Sequence, residues 1–249
     1  MARRSEIDEY LSALLQTASF KDYGPNGLQI EGRNEVRKLV SGVTASLALI
    51  EAAIDAQADA LLVHHGLFWR GHDGRITGWL KQRVARLLAH DISLYAYHLP
   101  LDAHAEFGNN AQFGALLGVS ADARFGEQSL GFIGTLSVPS SVADLAGRCE
   151  RLSGRSTTSI NGDGRTLVRV AWCTGGAQSY FESAITAGAD VFITGEISEP
   201  QAHLARETGT AFIAVGHHAS ERYGVQAVGA HLAVTFGIEH SHIEIDNPA

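Results

Sequence analysis

The sequence predicts an α/β fold made by internal duplication, with two similar domains of largely parallel sheet covered by helices. Three observations predict it. Short apolar runs alternate with helical patterns along the 249 residues, the signature of strand–helix–strand units. Val40-Ser41-Gly42-Val43-Thr44-Ala45-Ser46 has a counterpart in Val170-Ala171-Trp172-Cys173-Thr174-Gly175-Gly176, at an offset of 130 residues. Each continues through a small-residue helix into Ala-Asp and an apolar run, Ala58-Asp59-Ala60-Leu61-Leu62-Val63 and Ala189-Asp190-Val191-Phe192-Ile193-Thr194, where the offset has slipped to 131.

The elements follow in order. Ser5 reads as an N-cap, with Ile7, Leu11, Leu14 and Leu15 on one face of a first helix. Tyr23-Gly24-Pro25-Asn26-Gly27 is a turn cluster before a short strand at 28–30. A strand over 38–43 leads into a helix through Ala56, and 60–63 form the next strand. A helix over about 76–90 precedes a strand at 94–97, and Gly108-Asn109-Asn110 opens a helix through Leu117. From about Gly126 the pattern restarts. A strand at 131–136 comes first, then a helix begun by Pro139-Ser140-Ser141 with Val142, Leu145 and Cys149 inward. The turn Asn161-Gly162-Asp163-Gly164 then leads into the second copy of the unit. The expected domains are 1–125, with a C-terminal segment at about 205–249 packing across it, and a second repeat core at 126–204.

Bulk properties narrow the class. Hydrophobic content of 45% supplies a core without staples, and a net charge of -8 disfavours a general nucleic-acid binder. Cys149 and Cys173 form neither a disulfide framework nor a CxxC site, which points to a reduced, cytoplasmic setting. The start carries charges without a following apolar region, so no signal peptide is expected, and no apolar run is long enough for a membrane span.

Chemistry gathers at strand ends, where ligands of α/β sheets collect. The strand at 94–97 runs into His98, with Asp102 four residues on. The run Phe212-Ile213-Ala214-Val215 leads to Gly216-His217, with Glu221 four residues on. His64-His65 closes a third apolar run. Imidazole with carboxylate suits divalent transition metals. The predicted metal ligands are His64, His65, Asp102, His217 and Glu221. Five ligands are too many for one open tetrahedral site, so two ions per chain are expected; zinc, iron, manganese and nickel all fit. Pro100 makes 98–102 read as a strand-to-loop turn, not a helix. Adjacent His64 and His65 should point to opposite sides if the strand continues, and Gly66 permits a turn there. His98 fits the ligand spacing or an orienting role, and Glu196, which follows a strand end in the second half, is a candidate general base or orienting group. These two are the catalytic candidates. Glu199 shares the reading given to Glu196. Thr174-Gly175-Gly176 has the form of a phosphate cradle, and equally that of tight packing.

Four stretches carry a family resemblance: Val63-His64-His65-Gly66-Leu67-Phe68-Trp69, His98-Leu99-Pro100-Leu101-Asp102-Ala103-His104, Thr194-Gly195-Glu196-Ile197-Ser198-Glu199 and Gly216-His217-His218-Ala219-Ser220-Glu221-Arg222. Together they resemble the YbgI-like proteins of the NIF-three-like family, often labelled GTP cyclohydrolase 1 type 2 homologues. The resemblance runs over essentially the whole chain. It implies two similar, intertwined three-layer α/β domains and a toroidal homohexamer. It also implies a dinuclear metal centre at His64, His65, Asp102, His217 and Glu221.

The function expected is a metal-dependent hydrolase acting on a nucleotide-like small molecule, either GTP cyclohydrolase-like or processing damaged nucleotides. The competing expectation is a metal-holding ring scaffold or chaperone without chemistry. DNA binding would need a locally basic lumen, which the net charge disfavours.

Overall fold

The computed structural model describes residues 1–249. The chain divides into two compact units, Met1–Leu101 with Gly224–Asp246, and Asp102–Tyr223 with Asn247–Ala249. Residues 102–125 and 205–223, which the sequence reading gives to the first repeat, therefore lie in the second unit. Gly224–Asp246 alone returns to the first.

The first unit is built on a five-stranded sheet. Strands Lys38–Thr44, Ala60–His65 and Ser93–Ala96 run parallel at its centre. Glu239–His242 adds in parallel beside Lys38–Thr44, and Gly27–Ile30 closes the other edge antiparallel to Ser93–Ala96. Ala60–Val63 are buried at every position, as a strand covered on both faces must be. On one face Val40, Leu61, Val63 and Leu94 pack with Leu49, Ile50, Leu80, Val84 and Leu87 of helices Leu47–Asp55 and Gly78–Ala89. On the other, Tyr95 donates its hydroxyl to Arg4 O in helix Arg4–Leu14, and Tyr97 donates to Asp8. That helix starts at Arg4, with Arg3 as its N-cap; Glu6 accepts from Arg3 N at 3.0 Å, displacing Ser5 from the expected capping role.

The second unit repeats the plan. Leu167–Trp172, Val191–Thr194 and Ala211–Ala214 are its parallel centre. Here the flanks are antiparallel: Gly131–Ser140 and then Val119–Phe125 on one side, Thr158–Ile160 on the other. Trp172, Ile193 and Ile213 pack with Phe113, Leu145 and Cys149 of helices Asn109–Leu117 and Val142–Ser153. Phe181 of helix Phe181–Thr186 covers the opposite face, with its ring 6.1 Å from Phe192 and 5.0 Å from Phe212. Each unit is thus three layers, helix on sheet on helix.

The duplication is visible in one repeated device. Asp59 Oδ2 accepts from the backbone N–H of Arg37 at 2.7 Å and of Lys38 at 3.0 Å. Asp190 Oδ2, 131 positions later, accepts from Val168 N at 2.9 Å and Arg169 N at 2.8 Å. Each aspartate ties the start of its own strand to the start of the preceding one. Bonds of this kind to a charged acceptor are worth about 1.5–3 kcal/mol each, which explains why Ala-Asp survives where most letters have diverged.

Candidate metal centre

In the first unit the parallel strands deliver three imidazoles to their carboxyl ends. His64 and His65 are the last two residues of Ala60–His65, and His98 follows Ser93–Ala96 by two positions. One ring nitrogen from each lies within 4.8 Å of the others. The strand does continue through His65, whose partner across the ladder is Thr44, yet the rings of His64 and His65 are only 4.6 Å apart. At the end of a strand no further residue separates the two faces, so both rings can lean past the sheet. Gly66 is not needed for a left-handed turn. It is needed because a Cβ there would overlap the Gln29 amide and the Ala96 methyl.

Each imidazole is oriented through Nδ1. His64 Nδ1 is 2.9 Å from Tyr97 O, His65 Nδ1 is 3.2 Å from Thr44 Oγ1, and His98 Nδ1 is 2.6 Å from Asp22 Oδ1. A carbonyl and a carboxylate can only accept, so Nδ1 of His64 and His98 carries a proton, and in the neutral ring Nε2 has the lone pair. Asp22 is itself fixed, accepting from Leu99 N at 2.9 Å and Asn26 Nδ2 at 2.8 Å. Burial would raise its pKa, but the bonds from His98 and Asn26 outweigh burial and bring it down to about 2. Asp22 and Asn26 escaped the sequence reading, which saw in this segment only a turn. The available signal was a turn holding more hydrogen-bonding side chains than its geometry requires.

In the second unit His217 opens the short helix His217–Ser220, and Glu221 follows as its C-cap. His217 Nδ1 is 2.6 Å from Glu196 Oε1, and its Nε2 is 3.1 Å from Glu221 Oε2. Gln178 Nε2 in turn donates to Glu196 Oε2 at 3.2 Å. Burial by itself would lower the His217 pKa; Glu221, then Glu196, overcome it and raise it to about 9. Asp102 sits in helix Leu99–Ala103, contrary to the expected loop. Pro100 occupies the first turn, where its missing N–H is not required. Asp102 Oδ1 accepts from Asn109 Nδ2 at 2.9 Å and lies 3.5 Å from the Thr174 hydroxyl. Asp102 and Glu221 are 6% and 2% exposed, a depth at which carboxylates are held by partners.

At Gly175 the turn Thr174-Gly175-Gly176 is closely packed. The Gly175 N–H donates to Ser220 Oγ at 2.9 Å, its carbonyl accepts from Gly195 N at 2.8 Å, and a Cβ would overlap the Glu221 carboxylate. Glu199 lies apart from this group, 2.9 Å from His203 on the surface.

The donors fit a divalent transition ion. They are imidazole nitrogens and carboxylate oxygens, and the imidazoles have acceptors behind them, the arrangement that orients metal-binding histidines. The 3.1 Å spacing of His217 Nε2 and Glu221 Oε2 also matches two ligands on one ion, since bonds of about 2.0–2.2 Å place neighbouring ligands roughly 3 Å apart.

The fold has full-length counterparts among known proteins. The sequence model of the family described as Duf34/NIF3 (NGG1p interacting factor 3) matches residues 2–248. A protein of Neisseria meningitidis serogroup A, named GTP cyclohydrolase 1 type 2 homolog, is 51% identical over 249 residues and covers 100% of both chains. A protein of the same name from Escherichia coli K12 is 46% identical over 99% of this chain and 100% of its own. The solved structure of protein ybgI, described as of unknown function, superposes with a TM-score of 0.96 at 45% identity, covering 99% of this chain and 100% of that one. A crystal structure from Thermus thermophilus gives 0.92 at 33% identity, with the same coverage.

Proposed function

The chain belongs to the Duf34/NIF3 family, and from that premise we propose that it is a dinuclear metal-binding protein and a metal-dependent hydrolase of a nucleotide-like small molecule. The ligands in this reading are His64, His65, Asp102, His217 and Glu221. The observation that carries it is the common orientation of the histidines. In His64 and His98 an acceptor-only group occupies the Nδ1 side, which turns Nε2 outward, and in His217 Glu196 takes Nδ1 so that Nε2 is the nitrogen facing Glu221.

Two divalent ions, when bound, supply Lewis acidity and an activated water. The chain's own residues do the rest. Asp22 holds the proton of His98 at Nδ1, so that His98 can take a second proton at Nε2 from a reacting group. Glu196 is better placed to position His217 than to meet a substrate, because His217 Nδ1 and Gln178 Nε2 engage its two oxygens. Asn109 and Thr174 hold Asp102 from behind. The name shared by the relatives suggests the imidazole ring of GTP as the bond system opened; processing of modified nucleotides uses the same chemistry.

The proposal includes a homohexamer in a reducing, cytoplasmic setting. No helix is long and apolar enough to cross a membrane, and both cysteines are buried thiols. Light scattering of the purified protein tests the assembly. A metabolite screen of metal-reconstituted protein, read by mass spectrometry, tests the activity. The expected result is a hydrolysed nucleotide-like product; a protein that holds two ions and turns over nothing would instead be the scaffold.

A further inference from the structure

Arg155 lies in the turn between helix Val142–Ser153 and strand Thr158–Ile160. That strand runs antiparallel to Ala211–Ala214, with Thr158 opposite Ala214. The turn before it therefore emerges at the carboxyl end of the second unit's parallel strands, the end that carries Gly175, Glu196 and His217. The Arg155 side chain folds down onto Gly216. A Cβ on that glycine would stand 2.6 Å from Nη1, 2.8 Å from Cδ and 3.1 Å from Cζ. Gly216, at φ 99°, is the residue immediately before His217, so the guanidinium lies within roughly 8 Å of the His217 backbone.

Half-buried, this guanidinium nevertheless has no ion pair, and its Nη1 is closed off without a hydrogen-bond acceptor. Keeping a guanidinium nitrogen from both water and an acceptor is costly, and such a group calls for a reason. The carboxylate that orients the neighbouring histidine does not answer it, because Glu196 is taken by His217 and Gln178. A cation left uncommitted beside a donor set of histidines and carboxylates suits an anion that arrives with a ligand. With Nη1 closed off against Gly216, Nε and Nη2 are the donors left for a ligand, and that edge of the planar fork matches two oxygens of a phosphate. We infer that Arg155 is a specificity-determining residue that binds a phosphate group of the substrate beside His217. The inference rests on the proposed reading of this site as one that acts on a nucleotide-like molecule.

The test compares full-length wild type, R155Q and R155K, each metal-loaded and each metal-free. Inorganic phosphate is titrated by calorimetry, acetate is titrated in parallel, and bound metal is measured on the same samples. R155Q should weaken phosphate binding about tenfold or more, as expected for loss of a charge-assisted bond. R155K, with the charge but not the fork, should recover only part. Metal content should be unchanged. Equal phosphate affinity in wild type and R155Q would overturn the inference, as would an equal loss of acetate binding, which would mark a carboxylate site. Circular dichroism checks the fold, and R155K remains informative should R155Q unfold. Fewer than two ions in wild type would count against the metal reading alone, because the metal-free titrations still compare the arginine with its replacements.

Discussion

Gly175 and Glu221 share one space: a side chain on residue 175 would overlap the Glu221 carboxylate, so the glycine is what allows that carboxylate to lie beside His217 Nε2. Gly175 also has a φ of 73°, which an L side chain adopts only with strain. G175A should therefore lower metal affinity by about tenfold or more while the helices and sheets persist, an effect of the order seen when groups around metal ligands are disturbed. Elemental analysis after dialysis, beside far-ultraviolet circular dichroism, reads both. An alanine variant that keeps its metal would mean that Glu221 does not need its present position.

Replacing Glu221 or Asp102 by alanine should abolish stable metal retention yet leave a folded chain. Both stand at strand or helix ends, outside the clusters around Trp172 and around Leu61 that supply the apolar burial. E196Q is the contrasting variant. Glu196 touches His217 at Nδ1, on the side away from Glu221, so its loss should weaken metal binding roughly 10–100-fold without abolishing it. Should E196Q behave like E221A, Glu196 would have to be counted among the ligands. Should either alanine variant lose its circular dichroism at low temperature, the carboxylates would be structural.

The central strands and the three strand-end clusters were readable because burial on both faces leaves uninterrupted apolar runs, and residues after them stand out against that background. Val119–Phe125 was not readable. As an edge strand it is exposed at Ser120–Arg124 and shows no apolar alternation. Glu239–His242 failed for the same reason, with charged and imidazole side chains on an outer strand. At the site, the ligand candidates were legible from their spacing, whereas the groups behind them were not. Asp22 reaches His98 across 76 positions, a contact that only the folded turn at 22–27 creates. Leu99–Ala103 is helical although Pro100 predicts a loop, because Pro100 stands in the first turn, where its missing N–H is not required.

Neither thiol should react in the native protein. Burial pushes Cys149 up to about 12, and burial together with Asp102 and Glu221 pushes Cys173 above its ordinary range. At pH 8 neither therefore carries the thiolate that attacks disulfide reagents. A chromogenic thiol titration of the folded protein should find close to none, and the same titration in guanidinium should find both. A fast-reacting thiol before denaturation would show that the region around Trp172, where Cys149 is packed, opens readily.

Metal uptake should release a proton from His217. In the metal-free chain Glu221 and Glu196 outweigh burial and hold this imidazole at about 9, above the ordinary value near 6.5. A raised folded-state pKa means that the imidazolium contributes stability fully present below about 6.5 and lost as pH climbs through 9. Below 9, then, a cation must displace this proton to use the Nε2 lone pair. Apparent affinity should rise with pH by up to about tenfold per unit for this proton alone, and should level off near 9. The ion held by His217 should also be the first to leave on acidification, ahead of losses that wait for Asp102 and Glu221 to protonate. Calorimetry of zinc binding at pH 7, in two buffers of different ionisation enthalpy, counts the protons directly. About one should be released through His217, and E196Q, which removes one of the carboxylates that raise it, should release less. An affinity that stays flat between pH 6 and 8, with no proton released, would mean that His217 keeps its imidazolium beside Glu221 and is not a ligand.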